Sequence, residues 1–236
     1  MKDITREKII EHFRHDWYQY IIVAVAALAI TSLVALVLAD KVPDEKRIDI
    51  MMISSPCPSY AFGYISDLML ADEELEQYDE IQFYHMDKDN ADRTMQLPQW
   101  LIAGEGDVFI MNEENFRYLV ENGAIIPVDE YISNGSLVLP DGMQEECYSV
   151  DGKSYGLPIS YLKGFENFYP IDMNQEPDAV AEDIKARDEE LGSIYIGIAS
   201  YSKNIDGAVR AVQWMMDHMQ VRADQEEFNA QVNKYW

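Results

Sequence analysis

An uninterrupted apolar run near the N-terminus constrains this chain more than any other feature. Residues 21–39 read IIVAVAALAITSLVALVLA, without a charged residue, a proline or a glycine. At about 1.5 Å of rise per residue, a helix of this length spans most of a hydrocarbon core roughly 30 Å thick. Trp17, Tyr18 and Tyr20 stand at its entry, where aromatic rings favour the lipid headgroups. The run predicts a transmembrane helix over residues 17–40.

Two other interpretations of this run remain open. A buried core helix normally carries a polar stripe, whereas this run offers only Thr31 and Ser32. A cleaved signal peptide would fit the small residues around Ala39, but the run is longer than a usual signal core, and the segment before it carries four acidic residues. We therefore favour an uncleaved signal anchor.

Charge predicts where the rest of the chain lies. Four Lys and Arg residues precede the run and three follow it closely, which gives a weak bias towards a cytoplasmic N-terminus. The net charge is −25 for the whole chain and −24 for residues 41–236. Such an acidic domain argues against nucleic acid as a partner. We predict a cytoplasmic tail over residues 1–16, a linker over 41–47 and an extracytoplasmic domain over 48–236.

Short apolar strands alternate with amphipathic helices after the linker. The expected strands are Ile48–Ser54, Ile81–Met86 and Asp107–Met111. The expected helices are Tyr60–Tyr78, Asp92–Ala103 and Glu113–Asn122, the last ended by Gly123. This β-α-β-α-β-α succession is typical of an open, mostly parallel sheet with helices on its faces, which places the chain in the α/β class.

The second half of the chain is less regular. A hairpin is expected over Tyr148–Pro158, turning at Asp151 and Gly152. An acidic helix over Val180–Leu191, a strand over Ile194–Ala199 and a helix over Ile205–Met219 follow. The tail beyond is polar until its last two residues.

The motifs of common enzymes are absent from the sequence. It contains no G-x-S-x-G, no H-E-x-x-H and no phosphate-binding loop, so we predict that the protein is not an enzyme. The four histidines are scattered, and the acidic run Asp87–Asp92 lacks the ligand pattern of a calcium loop. A solvated loop with Asp92 as a helix cap explains that run better. We expect no metal and no cofactor.

The two cysteines leave two alternatives open. Cys57 and Cys147 both lie in the predicted extracytoplasmic part, where a disulfide could persist. They could pair with each other, or both could be inert thiols.

Three stretches, in order, resemble the extracellular solute-binding proteins of ABC transporters, especially the sugar-binding group. The first, Leu101–Ile132, contains a Gly-Glu turn, an Asp-led strand and a helix followed by GAIIPVD. The second, Val150–Ser160, reads VDGKSYGLPIS and is similar to the hairpin that leads into the crossing between lobes. The third, Ile194–Met215, resembles the strand, SKN turn and helix by which family members return to their first lobe.

The resemblance implies a periplasmic-binding-protein-like fold reduced to one lobe. Only about 34 residues separate the crossing segment from the returning strand, too few for a second lobe at roughly 50 residues per domain. It also implies linkage to ABC-type uptake or sensing of a carbohydrate or similar solute, with a transporter permease or another membrane protein as partner.

The strand ends are the expected place for a solute, because ligands of open α/β sheets bind beyond the carboxyl ends of the strands. Hydroxyl, amide and carboxylate groups there would bind sugar hydroxyls, and an aromatic ring would stack on an apolar sugar face. Each candidate also has a purely structural explanation as a turn, cap or packing residue. The candidates are Ser54, Ser55, Tyr60, Asp87, Asn112, Glu113 and Tyr155.

A different function class fits the same sequence. A non-catalytic protein–protein interaction module that has lost solute binding would expose an apolar face where relatives carry a second lobe. The residues that could form such a face are Met143, Tyr148, Tyr161, Phe165, Phe168 and Tyr169.

Overall fold

The computed structural model of the protein describes residues 17–32, 42–88 and 93–235, without the side chains of Ser59, Tyr60, residues 93–96 and Tyr235. The chain divides into two compact units, Met1–Lys41 and Val42–Trp236. Within the first unit, residues 17–32 are helical and exposed. Of the helices described, none combines the length and the apolar character that crossing a membrane requires. The predicted cytoplasmic tail and residues 33–40 of the predicted span lie outside the described residues.

A six-stranded sheet in the order β2-β1-β3-β6-β5-β4 forms the centre of the second unit. β1 pairs in parallel with β2 and β3, whereas the β3–β6, β6–β5 and β5–β4 pairs are antiparallel. The strands are β1 Arg47–Ser54, β2 Glu80–Asp87, β3 Val108–Asn112, β4 Tyr148–Val150, β5 Lys153–Pro158 and β6 Ile194–Ile198.

The α/β class is confirmed, but the sheet is mixed rather than mostly parallel. β5 ends at one edge of the sheet, and β6 starts at that same edge after the intervening segment, so β6 must run in the opposite direction. The parallel half is the β-α-β-α-β part that the sequence predicts, and its three strands are within one residue of their predicted bounds at each end.

Helices cover both faces of the sheet. In chain order they are α1 Ser59–Leu70, α2 Arg93–Ala103, α3 Glu113–Glu121, α4 Asp129–Ser133, α5 Pro177–Gly192, α6 Ile205–His218 and α7 Gln225–Val232. Short 3-10 helices lie at Asp44–Lys46, Met143–Glu146, Ile159–Tyr161, Lys163–Phe168 and Asn233–Tyr235. One buried cluster unites α1, α6 and the segment around Phe165 with one face of the sheet, and a second unites α3 with the other face.

Local chemistry explains where two of these helices end and begin. α1 ends at Leu70, earlier than predicted, because the Asp72 carboxylate accepts hydrogen bonds from the Glu74 backbone N–H at 2.9 Å and from Trp214 at 3.2 Å. α3 ends as predicted before Gly123, which adopts a positive φ of 67°.

The sequence analysis missed α7 in the polar tail. The Asp224 side chain caps this helix by accepting from the N–H groups of Glu226 and Glu227, each at 3.0 Å. Phe228 and Val232, one helical turn apart, are its buried residues. This cap followed by an i,i+4 apolar pair is a signal that the sequence did contain.

Candidate functional site

The carboxyl edge of the parallel strands brings the predicted polar residues together. Ser54, the last residue of β1, lies opposite Asp87 at the end of β2. Asn112, at the end of β3, follows the residue that pairs with Ile53. Glu113 begins α3 directly after it. These residues therefore share one edge of the sheet, as the strand-end rule predicts.

A carboxylate from helix α5 lies at this edge, beside the ends of β1 and β2. The Glu190 carboxylate accepts from the Ser55 backbone N–H at 2.8 Å and from the Ser55 hydroxyl at 2.5 Å. It also accepts from Lys88 Nζ at 3.0 Å. Three donors thus converge on one side chain that the sequence analysis did not select.

The charge state of Glu190 follows from these donors. Burial alone would raise its pKa, but the two hydrogen bonds from Ser55 and the Lys88 ammonium together hold the pKa below its ordinary value. The side chain is 19% exposed, so Glu190 is an ionised carboxylate in a partly desolvated position at neutral pH. It occupies the place at the strand ends where a hydroxyl-rich or anionic ligand group would meet the same donors.

A layer of half-buried polar groups lies beneath this cluster. The Ser54 hydroxyl donates to the Ser55 carbonyl and lies 3.1 Å from Nε2 of His85. Burial lowers the pKa of His85, which favours the neutral imidazole. Burial also raises the pKa of the Tyr169 hydroxyl, and the neighbouring Ser54 hydroxyl offsets part of this rise.

An open cavity of about 520 Å³ adjoins this edge. The β1–α1 loop, the segment 169–171 and helix α5 line it, with prolines, Ile171 and the Tyr169 ring as apolar walls and Asp183 and Arg187 as charged groups. Glu190 lies one turn beyond Arg187 on the same side of the helix. The size and the mixed lining of the cavity suit a small solute.

Helix α5 is fixed in place as the wall of this cavity. Arg187 Nη2 lies 3.1 Å from Glu166 Oε2, and these side chains are only 9% and 11% exposed. Glu166 belongs to the 3-10 helix Lys163–Phe168, which lies in the core. Arg187 also pairs with Asp188 at 2.9 Å. Glu166 also lies 3.5 Å from Lys163 Nζ and 3.6 Å from Arg222 Nη1. This network of ion pairs holds α5 against the rest of the unit.

Several predicted residues have structural roles at their positions. Asn112 caps α3 by accepting from the Asn115 N–H at 3.1 Å, and Glu113 lies exposed in the first turn. Tyr155 packs against the cluster on the α3 face, three residues before β5 ends and about 10 Å from the edge. Tyr60 is in the first turn of α1, but its side chain is not among those described.

In the structure both cysteines are free thiols, which is the second of the two alternatives that the sequence left open. Cys57 is half-buried and Cys147 is buried, the latter donating to the Met143 carbonyl at 3.4 Å. Burial raises the pKa of Cys57 to about 12 and that of Cys147 to about 11. Both are therefore protonated thiols of low reactivity at neutral pH.

The apolar face expected of a docking module does not form from the predicted residues. Met143, Phe165 and Phe168 are fully buried, and Tyr148, Tyr161 and Tyr169 are half-buried against the core clusters. They belong to the two core clusters or pack against them.

Sequence reasoning did not select Lys88 or Glu190, two side chains that the fold adds to the edge. It selected Tyr169 only for a docking face. Glu190 lies 135 residues from Ser55, and nothing in the acidic sequence of α5 distinguishes it from its neighbours. Across the part of the chain that the structure describes, there is no group of three or more His, Cys, Asp or Glu residues suited to a metal ion. Asp92, proposed as a helix cap, lies outside that part.

Comparisons with known proteins give structural neighbours but no sequence relative. No protein-family model matches the chain, and no curated protein matches it in sequence. An ABC substrate-binding protein from Listeria monocytogenes, solved with cycloalternan, is 11% identical with a TM-score of 0.44, over 80% of this chain and 82% of that one. The solute receptor AcbH, described as preferring β-D-galactopyranose, is 9% identical with a TM-score of 0.46, over 80% and 79%.

A polyamine-binding protein belongs to the same group. The spermidine/putrescine protein PotD from Streptococcus pneumoniae is 10% identical with a TM-score of 0.40, over 72% of this chain and 78% of that one. The solved structures similar to this chain are thus extracellular solute-binding proteins of ABC transporters. All three TM-scores are below 0.5, so the likeness assigns no role to this chain or to any of its residues.

Proposed function

We propose that the protein is a membrane-anchored, solute-binding-protein-like domain that binds a small polar solute, of the carbohydrate class, at the strand-end edge. The observation that carries the proposal is the convergence of Ser55, Lys88 and Glu190 beside the cavity of about 520 Å³. The hydroxyl groups of a sugar can donate and accept in place of the partners that these three side chains have now. The Tyr169 ring and the prolines offer an apolar wall for the rest of the solute.

In this proposal helix α5 replaces the second lobe as the opposite wall of the site. Solute-binding proteins bury a ligand between two lobes, whereas this chain offers one lobe and a helix pinned by the Arg187–Glu166 pair. One open side leaves part of the ligand exposed, so we expect weak binding, in the millimolar range.

The test is thermal unfolding of the full-length chain with a panel of sugars, oligosaccharides, amino acids and peptides. A ligand that binds only the folded state raises Tm as its concentration rises. We expect a sugar to raise Tm, and Asp183→Asn, which alters a cavity-lining carboxylate, to reduce the shift. Glu182→Gln, an exposed neighbour outside the cavity, is the matched control and should leave the shift unchanged.

The same panel separates this proposal from the alternative of a docking module. If no solute raises Tm at about 100 mM, on the order of 100 times the expected Kd, while the chain is folded, solute binding is rejected. The self-contained Ser55–Glu190–Lys88 cluster would then be only the contact that holds α5 on the sheet. The burial of the expected apolar face makes the docking alternative the weaker of the two.

The proposal includes anchoring by residues 17–40, with residues 1–16 in the cytoplasm and residues 48–236 outside, and a transporter permease or another membrane protein as partner. The length and uniformity of the apolar run support the anchor. The protein should stay in washed bacterial membranes, and deletion of residues 17–40 should release it. Protease added outside intact spheroplasts should digest the domain; protection from it would contradict the orientation.

A further inference from the structure

A second cavity, of about 490 Å³, lies on the helical face of the same unit. Helices α1, α6 and α7 and the loop between α6 and α7 surround it, and none of its lining residues belongs to the cavity at the strand ends. Its volume is within the range of small-molecule sites, roughly 300–1,000 Å³.

The walls of this cavity are largely aromatic and aliphatic. Tyr64 and Phe228 line it with their rings in an edge-to-face arrangement, 5.8 Å between centroids. Leu68 and Val221, 40% and 79% exposed, are large apolar side chains at the same cavity. Such walls favour a ligand with an apolar body.

Every fully charged side chain that lines the cavity is negative. Asp72, Asp224 and Glu227 contribute carboxylates, and no Lys or Arg lies among the lining residues. His218, the only basic group among the lining residues, stacks on the Trp214 ring at 4.7 Å and places its Nε2 3.6 Å from Asp72 Oδ2. The strongly negative charge of the chain adds to this local field. The cavity therefore attracts cations and repels anions.

Hydrogen bonds join the segments around Gly164 and Asn167, which line the cavity, to the end of α6 and the loop before α7. The Asn167 amide donates to the Ala223 carbonyl at 3.0 Å and accepts from the Ala223 N–H at 3.1 Å, which fixes the loop before α7. Gly164 N–H donates to the Met219 carbonyl at 2.8 Å at the end of α6. A side chain on Gly164 would come within 3.2 Å of the Met219 backbone, so the two segments are in close contact.

We propose that this cavity binds an organic cation with an apolar body, such as an arylalkyl ammonium. The apolar part packs among Tyr64, Phe228 and Leu68, and the ammonium lies among the carboxylates of Asp72 and Glu227. Aromatic ring faces add attraction for the cation. This site is separate from the strand-end site, and its occupancy does not depend on solute binding there.

The experiment compares three probes of similar shape on the full-length chain: 2-phenylethylamine, the neutral 2-phenylethanol and the anionic 3-phenylpropanoate. The readout is the indole N–H resonance of Trp214, assigned with Trp214→Phe, because this N–H donates to the cavity carboxylate Asp72. We expect a saturable shift with the amine, at least tenfold weaker binding of the alcohol and no shift with the anion.

Two exposed neighbours on α7 supply matched variants. Glu227→Gln removes a lining carboxylate and should weaken amine binding about two- to fivefold, the effect of one exposed ion pair. Glu226→Gln removes an equal charge outside the cavity and should leave it unchanged. Equal affinity for amine and alcohol, no movement of the Trp214 resonance, or equal losses in both variants would overturn the proposal.

Discussion

Ser55 and Glu190 lie 135 residues apart in sequence, yet the Glu190 carboxylate accepts both the backbone N–H and the hydroxyl of Ser55. This double contact joins the end of the first strand to the last turn of α5. The edge predicted to bind a ligand is therefore already occupied in part by the protein's own Glu190 carboxylate. A solute must therefore share these donors with Glu190 or displace it.

Replacing Glu190 by alanine should destabilise the protein. The variant loses hydrogen bonds to a charged acceptor and leaves the Lys88 ammonium without this partner, so we expect a loss of about 1–3 kcal/mol in the free energy of unfolding. Urea unfolding of the two proteins measures it. Glu189→Ala, which removes a carboxylate that is 69% exposed and 3.7 Å from Lys185, should cost less than about 0.5 kcal/mol. Equal effects would contradict the role given to Glu190.

The contribution of Glu190 should depend on pH in a defined direction. Its pKa in the folded protein is below the ordinary value, so the stabilisation is fully present above the unfolded-state pKa, about 4.3. It should disappear as pH falls through the folded-state pKa. Urea unfolding at intervals from pH 6 to pH 3 should show wild type and Glu190→Ala converging in stability. A gap that is constant over this range would contradict the shift.

Asp49 should show the opposite pH dependence. Burial raises its pKa to about 6, the neighbouring Arg47 only partly offsets this, and one carboxylate oxygen has no hydrogen-bond partner. Between its unfolded pKa and pH 6 the folded state binds more protons, so stability falls as pH rises and the penalty is complete above pH 6. The free energy of unfolding of Asp49→Asn, relative to that of wild type, should therefore rise by on the order of 2–3 kcal/mol between pH 4 and pH 7.

The comparison for Asp49 needs a variant that loses the same charge at the surface. Asp79→Asn serves this purpose, because Asp79 is exposed and paired only with the exposed Lys46 at 3.2 Å. Urea unfolding of all three proteins at pH 4, 5, 6 and 7 gives the two differences. If the difference in free energy of unfolding between Asp49→Asn and wild type is the same at all four pH values, the raised pKa of Asp49 is wrong.

Gly197 in β6 should not tolerate a side chain. A Cβ there would lie 2.6 Å from the buried Phe116 ring and 3.0 Å from Ile125. Gly197→Ala should therefore destabilise the protein by about 1–3 kcal/mol through overpacking. The double variant Gly197→Ala/Phe116→Leu should lose less free energy of unfolding than the sum of the losses of the two single variants, since the two sites are in contact.

Gly192 provides the matched control for Gly197. It ends α5 with nothing within 4 Å of an added Cβ and with no positive φ. Gly192→Ala should be neutral or slightly stabilising, because alanine restricts the unfolded chain. Thermal unfolding of the four variants decides the matter; similar losses for Gly192→Ala and Gly197→Ala would contradict the packing argument.

Both cysteines should titrate as free thiols only after unfolding. In the folded protein their raised pKa values keep the thiolate fraction very small at pH 8, so reaction with a disulfide reagent should be slow. In denaturant without reductant, two thiols per chain should react rapidly. A count of zero under denaturing conditions would instead indicate a Cys57–Cys147 disulfide.

The sequence by itself determined the α/β class and the order of the strands and helices from β1 to α6. Apolar runs such as that of β1 and the turn residues Asp151 and Gly152 specify local structure through short-range preferences, which one chain displays completely. It also determined that Ser54, Asp87 and Asn112 share an edge, because parallel strands end on the same side of a sheet.

Only the tertiary structure decided what faces that edge and which way β6 runs. The placement of α5 depends on the Arg187–Glu166 pair and on packing over the core. Neither segment's local sequence indicates which other segment it will contact. Among the many carboxylates of this acidic chain, Glu190 became the one that accepts from Ser55 and Lys88 through that placement. Non-local packing carries no periodic signature along the sequence, so this choice became visible only in three dimensions.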